Sequence, residues 1–190
     1  MSPTEASAAR RMAAIVYDEG VAIDLLLHVF AETLSARSVR LGGVLSVPGV
    51  EPQCGPEQLL HLQDLRSGEL IRVCYRLEMD TGDAACRLDC EALSRAVTSI
   101  RLARERGAQL VFVPRFGNQE LQGGGFRNAF QQGGASSCAV LTAVPRVLVD
   151  RWLAFTRGAC TLLAPSLGGL QAWWAANEGQ PHAAQRVENV

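Results

Sequence analysis

The sequence predicts an α/β fold in three layers, a mostly parallel sheet with an antiparallel hairpin and helices on both faces. Three observations carry that expectation. Short apolar runs such as Ala13-Ala14-Ile15-Val16-Tyr17 and Leu110-Val111-Phe112-Val113 alternate with stretches whose apolar residues recur at helical spacing. One segment interrupts that alternation: Leu59 to Leu65 and Glu69 to Tyr75 flank Arg66-Ser67-Gly68, a hairpin signal with a glycine for a left-handed turn position. The length, 190 residues, suits one domain with one substantial core.

Ala13 to Tyr17 reads as a buried strand, and Asp18-Glu19-Gly20 turns the chain. Ile23, Leu26, Leu27, Phe30 and Leu34 then mark an amphipathic helix to about Ser38. Leu41 to Val47 is a second strand, stopped by Pro48-Gly49. After the hairpin, Met79 to Ala85 is a polar loop. Asp89 is placed to cap a helix that carries Leu93, Val97 and Ile100 on one face and ends at Gly107. Leu110 to Val113 is a buried strand ending at Pro114-Arg115-Phe116-Gly117. A glycine loop, Gly123 to Gly125, leads into a helix with Phe126 and Phe130. Cys138 to Leu141 is a strand, Leu148, Trp152 and Phe155 mark a helix, Cys160 to Leu163 is a last strand, and Leu167, Leu170 and Trp174 belong to the final helix. The expected organisation is a single domain over 13–177, with disordered tails over 1–12 and 178–190.

Composition narrows the function. With 48% hydrophobic and 19% charged residues, the chain is neither disordered nor membrane-embedded in character. A net charge of −1 disfavours a general nucleic-acid binder. No long apolar stretch predicts membrane insertion, and the N-terminal apolar run is too short for a signal-peptide core, so a cytoplasmic setting with reduced cysteines is expected. All 18 basic residues are arginine, and lysine is absent.

In such sheets, binding sites lie at the carboxyl ends of the strands, which points to Tyr17–Gly20, Pro114–Glu120 and the loop after Ala143. Phe116-Gly117-Asn118-Gln119-Glu120 reads either as a binding loop or as a turn joining strand to helix. Gly123-Gly124-Gly125-Phe126-Arg127 can present N–H groups and a guanidinium to an oxyanion, or it is a loop that needs glycine for its backbone angles. Cys86-Arg87-Leu88-Asp89-Cys90 places two thiols beside an arginine that would lower a thiol pKa. This is a candidate thiol site, but without the CxxC spacing of a metal centre. Trp173 and Trp174 are adjacent, so one of them is expected to be exposed on the final helix.

Ile15-Val16-Tyr17 with Glu19-Gly20, Asp64-Leu65-Arg66-Ser67-Gly68, Cys86-Arg87-Leu88-Asp89, and Phe116-Gly117-Asn118-Gln119-Glu120 running on to Gly125-Phe126-Arg127 carry a resemblance. The chain resembles an uncharacterised bacterial family often encoded beside molybdate-transport genes. More distantly, it is similar to the thermophile-type P-loop nucleoside triphosphatases. That resemblance implies a P-loop-type fold, and Gly117, Glu120-Leu121 and Phe126-Arg127 fit its frame. Two features depart from it. A P-loop needs glycines, a lysine for the phosphates and a Ser/Thr for magnesium, but the chain offers Tyr17-Asp18-Glu19-Gly20-Val21-Ala22-Ile23-Asp24. Pro114 and Arg115 stand where the acidic pair belongs. The resemblance implies a degenerate P-loop, with Arg115 either paired with Asp18 or Glu19 in the vacated space or, like them, solvated.

The expected function is non-hydrolytic binding, which the resemblance links to molybdenum handling. The ligand is a small anion or a nucleotide-like molecule, or the partner is a molybdenum-handling protein. The expected ligand-binding residues are Tyr17, Glu19, Gly20, Arg115, Gly117, Asn118, Gln119, Glu120 and Arg127. The alternatives are a nucleotide-dependent phosphohydrolase that uses arginines in place of lysine, and a pure protein-interaction module.

Overall fold

The computed structural model describes residues 11–47, 61–78, 84–131 and 138–178, with side chains of 74–88 not included. The expected tails lie outside these residues except at their inner ends. Met12, assigned to the first tail, opens the first strand and is buried.

The strands are β1 (Met12–Tyr17), β2 (Leu41–Ser46), β3 (His61–Asp64), β4 (Leu70–Arg72), β5 (Cys74–Glu78), β6 (Ala84–Leu88), β7 (Leu110–Phe112), β8 (Ala139–Pro145) and β9 (Thr161–Leu163). The helices are α1 (Ile23–Ala36), α2 (Cys90–Glu105), α3 (Asn118–Leu121), α4 (Arg127–Gln131), α5 (Val149–Thr156) and α6 (Leu167–Asn177). Seven strands form one sheet in the order β4-β3-β2-β7-β8-β1-β9. The run β2-β7-β8-β1-β9 is parallel, and β3 and β4 add an antiparallel edge. The hairpin read from Arg66-Ser67-Gly68 is β3–β4, with Gly68 at φ +74°.

A second hairpin was not anticipated. β5 and β6 pair antiparallel as a separate two-stranded sheet; of the polar loop read over Met79 to Ala85, Ala84 and Ala85 belong to β6, and 79–83 lie outside the described residues. β6 went unread because Ala84-Ala85-Cys86-Arg87-Leu88 shows no strict alternation of apolar and polar residues. The short helix α3 was likewise unread, because four residues cannot show helical periodicity.

Alternation along the central strands divides the core in two. Met12 and Ala14 of β1 face one cluster, with Val111, Val140, Phe130 and Trp152. Ala13 and Ile15 face the other, with Phe30, Phe112, Leu141 and Trp174. Helices α2, α4 and α5 cover the first face, and α1 and α6 cover the second. The strands are therefore buried on both sides, which is why they read as unbroken apolar runs. α2 lies so close to β2 that a Cβ on Gly42 would sit 2.3 Å from Ala103 Cβ.

Asp89 caps α2 as expected, accepting from the N–H groups of Glu91 at 2.9 Å and Ala92 at 3.0 Å. Trp173 and Trp174 correct an expectation, because both are buried. Their positions on α6 differ by about 100°, and the apolar surface of α1 and the sheet is wide enough to receive both rings.

Candidate functional site

The carboxyl ends of β1, β7 and β8 converge, and a cleft of about 670 Å³ opens between the loops that follow them. Its lining runs from Tyr17 to Leu25 and adds Arg115 and Pro145 to Val147. The first loop leaves β1 at Tyr17, turns at Gly20 with φ +85°, and enters α1 without a side-chain cap at Ala22. After β7 the chain stays extended beside β8: Phe116 N–H donates to Ala143 O at 2.9 Å, and the Thr142 hydroxyl donates to Pro114 O at 2.9 Å. Phe116 faces the core with 0% exposure, so alternation turns Arg115 the other way, into the cleft.

There Arg115 donates to Asp24, the second residue of α1. The Tyr17 side chain lies on the same cleft wall and adds to the pull on the Arg115 guanidinium. Burial pushes the Asp24 carboxyl above its ordinary value, against the opposing pull of Arg115 and His28. Burial alone would lower the Arg115 pKa, but Asp24 and Tyr17 outweigh it and raise it. The expected partner of Arg115 is thereby corrected. Asp18 pairs instead with Arg146, in a two-pronged contact of 2.6 and 2.9 Å, and that hydrogen bonding holds its carboxyl below the usual range. Glu19 is exposed at the cleft's rim.

Of the residues the sequence nominated, Tyr17, Glu19, Gly20 and Arg115 line this cleft, whereas Gly117, Asn118, Gln119, Glu120 and Arg127 do not. Glu120 is buried and turned back into its own loop, where its two carboxylate oxygens accept from Gly117 N–H at 2.8 Å and Phe126 N–H at 2.9 Å. Arg127 donates to Glu120 O at 2.8 Å and lies over the Phe155 ring at 4.9 Å. Gly125 is required here: at φ +58° it brings the backbone so close that a Cβ would stand 2.1 Å from Glu120 Oε1. Asn118 and Gln119 are exposed.

Cys90 is an exposed free thiol at the start of α2, while Cys86 and Arg87 belong to β6, whose side chains lie outside the description. Among the described residues no group of three or more His, Cys, Asp or Glu side chains could hold a metal ion. No helix among them is long and apolar enough to cross a membrane.

Sequence reasoning missed Asp24 and Arg146. Asp24 carried a signal, because it stands where a P-loop has its magnesium-binding hydroxyl. Arg146 lay in a loop the topology had flagged, with nothing to single it out.

Comparison with known proteins fixes the fold. A human cancer-related nucleoside triphosphatase superposes with a TM-score of 0.66 at 19% identity, covering 90% of this chain and 100% of that one. THEP1 from the hyperthermophile Aquifex aeolicus gives a TM-score of 0.59 at 14% identity, covering 82% of this chain and 90% of that one. The fold is that of the P-loop nucleoside triphosphatases, as the resemblance implied. A curated relative, molybdenum import ATP-binding protein ModC 2 of Bradyrhizobium diazoefficiens, is 32% identical over 164 residues. That match takes in 86% of this chain but only 18% of the relative's length. The family described as Protein of unknown function (DUF2478) matches residues 12–173, and the chain belongs to it.

Proposed function

We propose that this chain is a non-hydrolytic binding protein built on a nucleoside-triphosphatase fold, and that it serves molybdate handling by engaging a protein partner at the carboxyl-edge cleft. The observation that carries the reading is the Arg115–Asp24 pair. In a working P-loop site, a Ser/Thr hydroxyl at the helix start and a carboxylate at a strand end hold magnesium between them. Here the helix supplies the carboxylate and the strand supplies the cation, and the two neutralise each other. The lysine position is taken by Ile23, and the chain has no lysine to substitute. A magnesium–polyphosphate complex would lose both of its main electrostatic contacts.

The cleft's charge points the same way. Asp18, Glu19 and Asp24 outnumber Arg115 and Arg146, so the lining carries an excess of one negative charge. Both guanidiniums are already engaged, and Glu19 has no ion-pair partner among the described residues. Val21, Leu25 and Val147 add exposed apolar surface, with Val147 at 88% exposure. A polypeptide with apolar side chains and a basic or amide group matches this lining better than a nucleotide does. The molybdate link rests on the name of the relative, of whose length the match takes in 18%.

The test is interferometry between this protein and the ATP-binding protein of a molybdate importer, with wild type, Leu25→Asp and Val147→Asp. Binding that weakens in both variants supports the reading. No binding, together with magnesium-dependent ATP binding by calorimetry, would reverse it.

A further inference from the structure

A second cleft, about 510 Å³ in volume, shares no lining residue with the first. It takes residues from α1, the α1–β2 connection, β3 with its turn, and the C-terminal end of α2. Its charge is opposite to that of the first. Arg40, Arg66 and Arg106 line it, and Glu32 is the one carboxylate among the lining residues.

Among the described residues, little contacts these three cations to neutralise them. Arg40 donates through Nε to Gly107 O at 2.9 Å, a neutral acceptor, which fixes the guanidinium and leaves its terminal nitrogens available. The side chains of Arg66 and Arg106 make no hydrogen bond or ion pair among the described residues. Asp64 offsets part of the Arg66 charge electrostatically, while its oxygens accept from the Ser99 hydroxyl and the N–H groups of Arg66 and Ser67 rather than from the guanidinium. His28 and Gln63 add polar groups to the wall, and His28 is held in place by Ser46 O at 2.9 Å. Three guanidiniums around one concave space repel one another unless an anion offsets them. Arginine also offers the planar fork that suits oxyanion oxygens.

We propose that this second cleft is an anion-binding site for a multiply charged oxyanion, separate from the carboxyl-edge cleft. The shared chemistry is a compact dianion or trianion with several oxygens, as in a phosphate-bearing metabolite or a free tetrahedral oxyanion. The site does not depend on the reading of the first cleft, since the two have no residue in common.

The experiment is calorimetry at low salt with pyrophosphate, inorganic phosphate and molybdate as separate probes. Arg66→Ala, Arg106→Ala and the remote control Arg151→Ala are compared with wild type, with circular dichroism confirming each fold. The expected result is saturable binding of at least one probe, weakened about tenfold or more by Arg66→Ala and by Arg106→Ala and unchanged by Arg151→Ala. It should also weaken as ionic strength rises. Preference for pyrophosphate would identify a phosphate-bearing ligand, and preference for molybdate a free oxyanion. Absence of binding by all three probes at millimolar concentration would overturn the proposal. Equal weakening by Arg151→Ala would do the same, by showing only a net-charge effect.

Discussion

Arg115, projecting from the chain just beyond β7, is bound to Asp24 in the first turn of α1, so the strand end and the helix start are joined by an ion pair across the carboxyl edge. Their side chains are 40% and 18% exposed, so the pair is partly shielded from water. This predicts an asymmetric mutational response. Arg115→Ala leaves a largely buried carboxylate unpaired and should cost about 1–2 kcal/mol, a value reduced for the partial exposure. The double variant Asp24→Asn/Arg115→Gln should lose less than the sum of its single changes, as urea unfolding of the full cycle would show.

The pH dependence of Arg115→Ala follows from the same pair. Burial already raises the Asp24 carboxyl, and removing Arg115 takes away the charge that opposes that rise. A group whose folded pKa exceeds its unfolded one favours the folded state at low pH, and that contribution disappears as pH rises through the folded value. The stability deficit of Arg115→Ala should therefore shrink on acidification toward the Asp24 pKa. A deficit that stayed constant from neutral to acid pH would show that the pair's charge is not what matters.

Asp64 should behave in the opposite sense. Burial raises its pKa, but the Ser99 hydroxyl and the backbone N–H groups of Ser67 and Arg66 outweigh that and hold it below 3.8. Stability from this group is thus present above the unfolded carboxylate value and lost as pH falls through the lower folded one. Asp64→Asn should cost about 1–3 kcal/mol at neutral pH and should flatten the acid limb of the stability curve. An unchanged acid limb in the variant would contradict the assignment.

Glu120 is predicted to act on stability. Its oxygens satisfy two N–H groups of the loop between β7 and α4. In Glu120→Gln one acceptor becomes a donor facing an N–H, a loss of about 2–3 kcal/mol. Gly125→Ala should be destabilising for a linked reason, since the new methyl would meet the same carboxylate. Thermal unfolding checks both, and wild-type melting of either variant would be the contrary result.

The residues that were legible in the sequence are those whose neighbours in the chain are also their neighbours in space. Ala13 to Tyr17 announces a buried strand, and Asp89 announces a helix cap two and three residues ahead of the N–H groups that donate to it, because both signals are local. The carboxyl-edge location of the first cleft followed from strand–helix alternation alone. The pairings were not legible. Asp18 reaches Arg146, 128 positions away, and Arg115 reaches Asp24, 91 positions away, and no periodicity encodes such distances. Glu120 misled for a related reason. In sequence, a polar residue in a loop looks the same whether it faces solvent or its own backbone.

Phosphate release from ATP and GTP in the presence of magnesium tests most directly whether the Arg115–Asp24 pair stands in the place of a magnesium site. No release above background is expected from the purified protein. Magnesium-dependent release that survives repurification and disappears in Asp24→Asn would contradict it, because it would show Asp24 holding a cation rather than Arg115.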